Sequence, residues 1–179
     1  ETVDEVGRAS AEAGVEADYV KGGTVLWARS AAQERAARAE VRAVAALGVD
    51  RLEWRPVAGR GVAGARGLAF DPNCARVQPA RLVRGMAAAV ERAGAVIHEG
   101  TTAREVRPRG VDGRASVVTD RGTVRAEHVV VATEGYTGSL SGWGRRILPI
   151  HSLMVATEPL SSACWDEIGI AHGQTFSDY

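Results

Sequence analysis

Four apolar residues, Val129-Val130-Val131-Ala132, run directly into Thr133-Glu134-Gly135-Tyr136. A continuous apolar run suits a strand covered on both faces. In open α/β sheets, ligands sit beyond the carboxyl ends of the strands, where this run breaks into polar residues. Thr133 offers a hydroxyl, Gly135 lets a bound group approach the main chain, and Tyr136 offers an aromatic edge. The same residues also read as a plain turn. His151 follows Pro149 in a second strand-like run. Its near-neutral pKa permits acid–base work, and a half-buried structural histidine is the competing reading. Met154, three residues on, reads as core.

Other chemistries find little support. His98, His128 and His172 lack metal-ligand spacing. Cys74 and Cys164 form no CxxC and read as free thiols of a reducing cytoplasm, with a disulfide left open. Gly138-Ser139 lacks the flanking pattern of a nucleophile elbow. Gly59-Arg60-Gly61-Val62-Ala63-Gly64 spells GxGxxG. It follows no convincing strand and opens no helix, so it reads as a loop.

The elements that must position these residues alternate. Helical patterns cover Thr2 to about Ala13, Ser30 to Gly48 and Pro79 to Gly94, with a short one from Ser161 to Ile168. Ser30 and Gln33 have capping-box spacing, and Pro79 suits a first helical turn. Gly14, Gly48 and Gly94 suit helix stops. Strand patterns cover Thr24–Ala28, Leu52–Pro56, Leu68–Phe70, Ala95–His98, Thr102–Val106, His128–Ala132, Arg146–Glu158 and Gln174–Tyr179. Ser116–Thr119 and Thr123–Arg125 flank Asp120-Arg121-Gly122, which reads as a three-residue hairpin loop with its glycine left-handed. The order implies a mixed α/β or α+β architecture, with segments shared between two sheets.

Composition narrows the class. Of 179 residues, 45% are apolar and 25% charged, as in globular proteins. The net charge is zero, so no global field attracts nucleic acid or an anionic membrane. Lys21 is the only lysine, so the positive charge is nearly all arginine. Arginine forks suit carboxylate or phosphate; a GC-rich coding sequence, which also enriches alanine and glycine, is the plainer explanation. No apolar run is long enough to span a membrane, and the expected compartment is a bacterial cytoplasm.

Three stretches taken in order carry a resemblance. They are RVQPARLVRGMAAAVERAGAVIHEGTTAREV, VVTDRGTVRAEHVVVATEGYTGSL and LPIHSLMVATEPL. Together they resemble the FAD-dependent amino-acid and amine oxidoreductases, the superfamily of D-amino-acid oxidase, glycine oxidase and sarcosine oxidase. The chain looks most similar to the gamma-glutamylputrescine oxidoreductase-like branch. The resemblance implies a partial FAD-binding domain of glutathione-reductase type, interleaved with a mostly antiparallel substrate-domain sheet. It implies substrate-domain segments over 1–73 and 143–179 and an FAD-domain segment over 74–142. Val106 then matches a residue whose backbone contacts the flavin's adenine. Ala132, Thr133, Glu134 and Gly135 match the segment that passes the cofactor. Glu134 stands where many relatives have a small residue, often glycine, and a carboxylate near a pyrophosphate is repulsive. Thr24–Trp27 and Ile147–Glu158 resemble strands that roof the flavin ring, which places His151 and Met154 on the substrate side.

The chain opens on Glu1 and stops at Tyr179 within a strand pattern, with no phosphate-binding glycine loop upstream. It therefore reads as an internal segment of a flavoenzyme that oxidises a C–N bond of a small amine or amino acid by hydride transfer to FAD. The segment alone is expected to retain neither FAD nor turnover. The other reading is a cofactor-free binding or assembly module that self-associates through exposed strand edges.

Overall fold

A computed structural model describes all residues except Glu1, Val49, Asp50, residues 58–61, Asp112 and His172. The sequence readings at His172 and at the start of Gly59–Gly64 lie outside the described residues. The chain forms two compact units, Glu1–Ala95 with Thr157–Tyr179, and Val96–Ala156.

The first unit holds helices α1 (Thr2–Glu12), α2 (Ala31–Ala46), α3 (Pro79–Arg92) and α4 (Ser162–Ile168). Its strands are β1 (Thr24–Ala28), β2 (Glu53–Pro56), β3 (Gly67–Asp71) and β7 (Thr175–Asp178). They form one sheet in the order β2-β3-β1-β7. β3 pairs antiparallel with both β1 and β2, while β7 pairs parallel with β1.

Leu26 lies opposite Ala69, and Ala69 opposite Trp54, so the three share one face. Helix α2 packs on β1, β2 and β3. From it Arg38 stacks over Trp54, 4.5 Å from the ring centroid. Small residues permit the close approach, since Ala28, Ala37 and Ala69 are fully buried. At Gly67 a Cβ would come within 2.1 Å of the Trp54 indole. The expected capping box is present: Ser30 Oγ accepts from Gln33 N at 3.2 Å, and Gln33 Oε1 accepts from Ser30 N at 2.9 Å. Gln78 caps α3 by accepting from Arg81 N at 2.7 Å, and Pro79 follows in its first turn.

The second unit contains a three-stranded antiparallel sheet in the order β4-β5-β6. Its strands are β4 (Ala103–Arg107), β5 (Ala115–Thr119) and β6 (Gly122–Ala126). Thr119 pairs directly with Gly122, so the hairpin loop is two residues, Asp120 and Arg121, and not three. Gly122 has a positive φ of 146°, a backbone that favours glycine, and it opens β6. Asp120 anchors the turn by accepting from Thr102 N at 3.0 Å.

Three expected strands do not form. Ala95–His98, His128–Ala132 and Arg146–Glu158 have no strand structure. A strand exists only through the ladder it makes with a neighbour, and none of these runs pairs with another segment of the described residues. Their apolar side chains stay open to solvent, among them Val130, Leu148, Ile150 and Val155.

Candidate functional site

Val106 lies in β4 opposite Val117 and is half-buried. β4 is an edge strand, with a bulge between Ala103 and Glu105. Arg104 within that bulge accepts at its carbonyl from Ser141 N at 3.1 Å. Ser141 directly follows Leu140, which closes the segment that begins at Thr133. One backbone hydrogen bond therefore holds the Thr133–Leu140 segment against the strand of Val106. The sequence reading missed this link, because a carbonyl freed at a bulge leaves no residue-type signal.

The segment itself is a 3₁₀ helix over Glu134–Ser139, with Thr133 as its N-terminal flank. Thr137, four residues on, is buried and donates its hydroxyl proton to Glu134 O at 2.6 Å. Its single proton is thereby used, so in the 2.9 Å contact between the two hydroxyls Thr133 is the donor. The Thr133 hydroxyl holds the turn through this contact. The four-residue spacing of two threonines was the available signal for this pair. Leu140 is buried and closes the turn, with its N–H donating to Thr137 O at 3.1 Å.

Glu134 has a left-handed backbone, φ 43°, a conformation that costs a side-chain-bearing residue. Its carboxylate folds back and accepts from the N–H of Gly135. A Cβ added at Gly135 would meet only Pro149 Cβ, at 3.6 Å, an ordinary contact. The main chain at Gly135 is thus open on its outer side. Ala132 and Tyr136 are exposed.

His151 and Met154 were expected on a strand, facing a sheet or a ligand. Both are exposed in a stretch without secondary structure, and the structure does not bring their side chains to the Thr133–Gly135 turn through any described hydrogen bond. Beside Val106, Arg107 donates to Glu105 at 2.8 Å. That hydrogen bond, aided by the attraction of the charges, holds the Glu105 carboxyl below its ordinary range. No group of His, Cys, Asp or Glu among the described residues could hold a metal. Cys74 and Cys164 are free thiols; Cys74 Sγ lies 3.4 Å from Thr175 Oγ1. The first unit has a cleft of about 590 Å³ lined by Arg76, Leu160, Trp165, Asp166, Ile170 and Gln174 among others, where the sequence reading placed no site. No described helix is long and apolar enough to cross a membrane.

Comparison with known proteins bears on what this edge and turn belong to. A protein family described as FAD dependent oxidoreductase matches residues 1–178. A probable oxidoreductase OrdL of Rhizobium meliloti (strain 1021) is 33% identical over 91 residues, 50% of this chain and 21% of that protein. A probable oxidoreductase OrdL of Haemophilus influenzae is 32% identical over 114 residues, 61% of this chain and 26% of that protein. Among solved structures, glycine oxidase from Geobacillus kaustophilus superposes with a TM-score of 0.65 at 19% identity, covering 80% of this chain and 39% of that one. At that identity the likeness shows the fold. The chain spans about a quarter of the two curated relatives. With its mixed α/β fold and a family match running from Glu1 to Asp178, this chain belongs to the FAD-dependent oxidoreductases.

Proposed function

We propose that this chain is part of an enzyme that oxidises a C–N bond of a small amino acid or amine, with FAD as the acceptor. The family match along the chain carries the reading. Glycine oxidase and the amino-acid deaminases and oxidases among the structural neighbours support its substrate class. Residues 1–73 and 143–179 would serve the substrate side, and 74–142 the cofactor side.

The residues present suit a flavin nucleotide in two respects. β4, the strand that carries Val106, is an edge strand whose outer side can offer main-chain groups to an adenine. Gly135 offers an open main chain two residues beyond Thr133, tied to the same strand through Ser141 and Arg104. In this reading Val106 orients the adenine, and Ala132, Thr133, Glu134 and Gly135 form one wall of the cofactor site. Thr133 also fixes the turn through its hydroxyl contact with Thr137. FAD held between the Val106 strand and the Ala132–Gly135 turn would supply the hydride acceptor for oxidation of the C–N bond. His151 and Met154 line the substrate side only once their stretch is paired into a sheet.

The test is flavin retention. A family-length polypeptide containing this chain should purify with the absorbance of bound flavin and bleach anaerobically with an amine or amino acid. The 179-residue chain alone should carry no flavin and show no turnover. A family-length protein without flavin, whose chain nonetheless assembles with itself, would favour a cofactor-free module instead.

A further inference from the structure

At one end of the three-stranded sheet of the second unit, three arginines gather around a cleft of about 480 Å³. Its described lining is Arg109, Gly113, Arg114, Arg125, Ala126 and Glu127. We propose that this cleft binds a small phosphorylated anion. The proposal does not depend on the flavin reading.

The chain brings the arginines together from three segments. Arg109 follows the end of β4, Arg114 immediately precedes β5, and Arg125 lies in β6 opposite Ser116. Backbone hydrogen bonds fix the loop between β4 and β5. Gly110 N donates to Arg114 O at 3.1 Å, and Gly113 N donates to Gly110 O at 3.0 Å. Gly113 makes that turn with a left-handed backbone, φ 72°. Arg109 Nη2 donates to Glu127 O at 3.1 Å, which ties the loop to the chain leaving β6. Arg109 is therefore held at the cleft before any ligand arrives.

The charges favour an anion. Among the described residues, no ion pair engages Arg109 or Arg125, whereas Arg107 of β4 is paired with Glu105 at 2.8 Å. Glu127 is the one carboxylate in the described lining, against three guanidiniums. Like charges so placed repel one another, and an anion among them turns repulsion into attraction. Ala126 is the one hydrocarbon side chain there, so an apolar ligand finds little to cover it. The volume is that of a small-molecule site. A carboxylate offers two oxygens in one plane, which suits a single guanidinium fork. A phosphate offers oxygens in several directions, so forks arriving from separate segments can share it.

The experiment is isothermal titration of the family-length protein with inorganic pyrophosphate, after gel filtration to remove unbound flavin. Saturable binding is expected at low salt, weakening as sodium chloride rises, because exposed charges are screened. Arg125→Gln keeps most of the stem and removes the charge. It should raise the dissociation constant about fivefold to tenfold, with the thermal midpoint unchanged. Glu127→Gln should lower the dissociation constant about twofold to threefold, by removing a charge that repels the ligand. Citrate, of similar charge but carrying carboxylates, should bind about tenfold less tightly. Absence of saturable pyrophosphate binding overturns the proposal. So does an Arg125→Gln affinity equal to the parent's, which would place the ligand elsewhere. Weaker binding by Glu127→Gln, or citrate binding as tight as pyrophosphate, overturns it as well.

Discussion

Gln33 shows how much one side chain contributes to the first unit. Its Oε1 accepts from Arg29 N at 2.8 Å and Ser30 N at 2.9 Å, while its Nε2 donates to Tyr179 O at 2.8 Å. The first two bonds complete the start of α2, and the third ties that helix to the end of β7. Gln33→Glu keeps the acceptor and replaces the donor with an oxygen facing a carbonyl. It should destabilise by about 1–2 kcal/mol, read from the midpoint of denaturant unfolding. A variant as stable as its parent would show that the Tyr179 bond contributes nothing. The cap itself was legible, because Ser30 and Gln33 are three apart. The bond to Tyr179 spans 146 positions, and no local pattern encodes such a distance. Glu34, the next residue, supports a pH prediction. It accepts from Arg66 Nε at 2.8 Å and Arg38 Nε at 3.1 Å. These bonds, Arg66 first, lower its pKa below the ordinary glutamate value. A lowered folded-state pKa stabilises above the ordinary value, and that stabilisation is lost as pH falls through the lowered one. The difference in thermal midpoint between parent and Glu34→Gln should therefore be constant near neutrality and shrink in acid. A difference independent of pH would mean that the charge is immaterial.

At the scale of elements, helix α3 packs closely through Gly85 against the chain that leaves α1. A Cβ on Gly85 would lie 2.3 Å from Val15 Cγ1, and Val15 is itself buried. Valine is stiff at χ1 and cannot swing aside cheaply. Gly85→Ala gains up to about 1 kcal/mol of helix propensity. It also forces an overpacked contact that costs about 1–3 kcal/mol. Net destabilisation is expected, and Val15→Ala in the same protein should remove most of it. Additive losses in that double-mutant cycle would place the cost elsewhere. The sequence reading located α3 and its Pro79 start but gave Gly85 no role, since a close approach depends on what lies opposite. The strands divide in the same way. Thr24–Ala28 was legible and real, because β3 and β7 of this chain pair with it. Val129–Ala132 is as apolar, yet forms no strand here. Apolar pattern reports which residues seek burial; pairing requires a partner, and that information is not in the run itself.

At the scale of the whole chain, the runs left unpaired among the described residues carry much open apolar surface. Leu148, Ile150, Leu153, Met154 and Val155 are each more than four-fifths exposed, a density of open apolar surface that an independent unit rarely tolerates. The expected substrate-domain segment 143–179 contains these same residues, and the solved glycine oxidase from Geobacillus kaustophilus is a longer chain of which this one covers 39% of the length. We therefore expect the runs to become strands when a family-length polypeptide supplies their neighbours. Amide hydrogen exchange reads this directly, because ladder hydrogen bonds slow exchange and open backbone does not. In the 179-residue chain, amides of Val129–Ala132 and Ile147–Val155 should exchange much faster than those of β1. In the longer protein they should approach β1 in protection, and flavin should be retained only there. Fast exchange in both would leave the runs as loops and remove His151 and Met154 from any substrate-facing sheet. Slow exchange already present in the short chain would mean that its own strands, or a second copy, complete the ladder without a flavin-binding half.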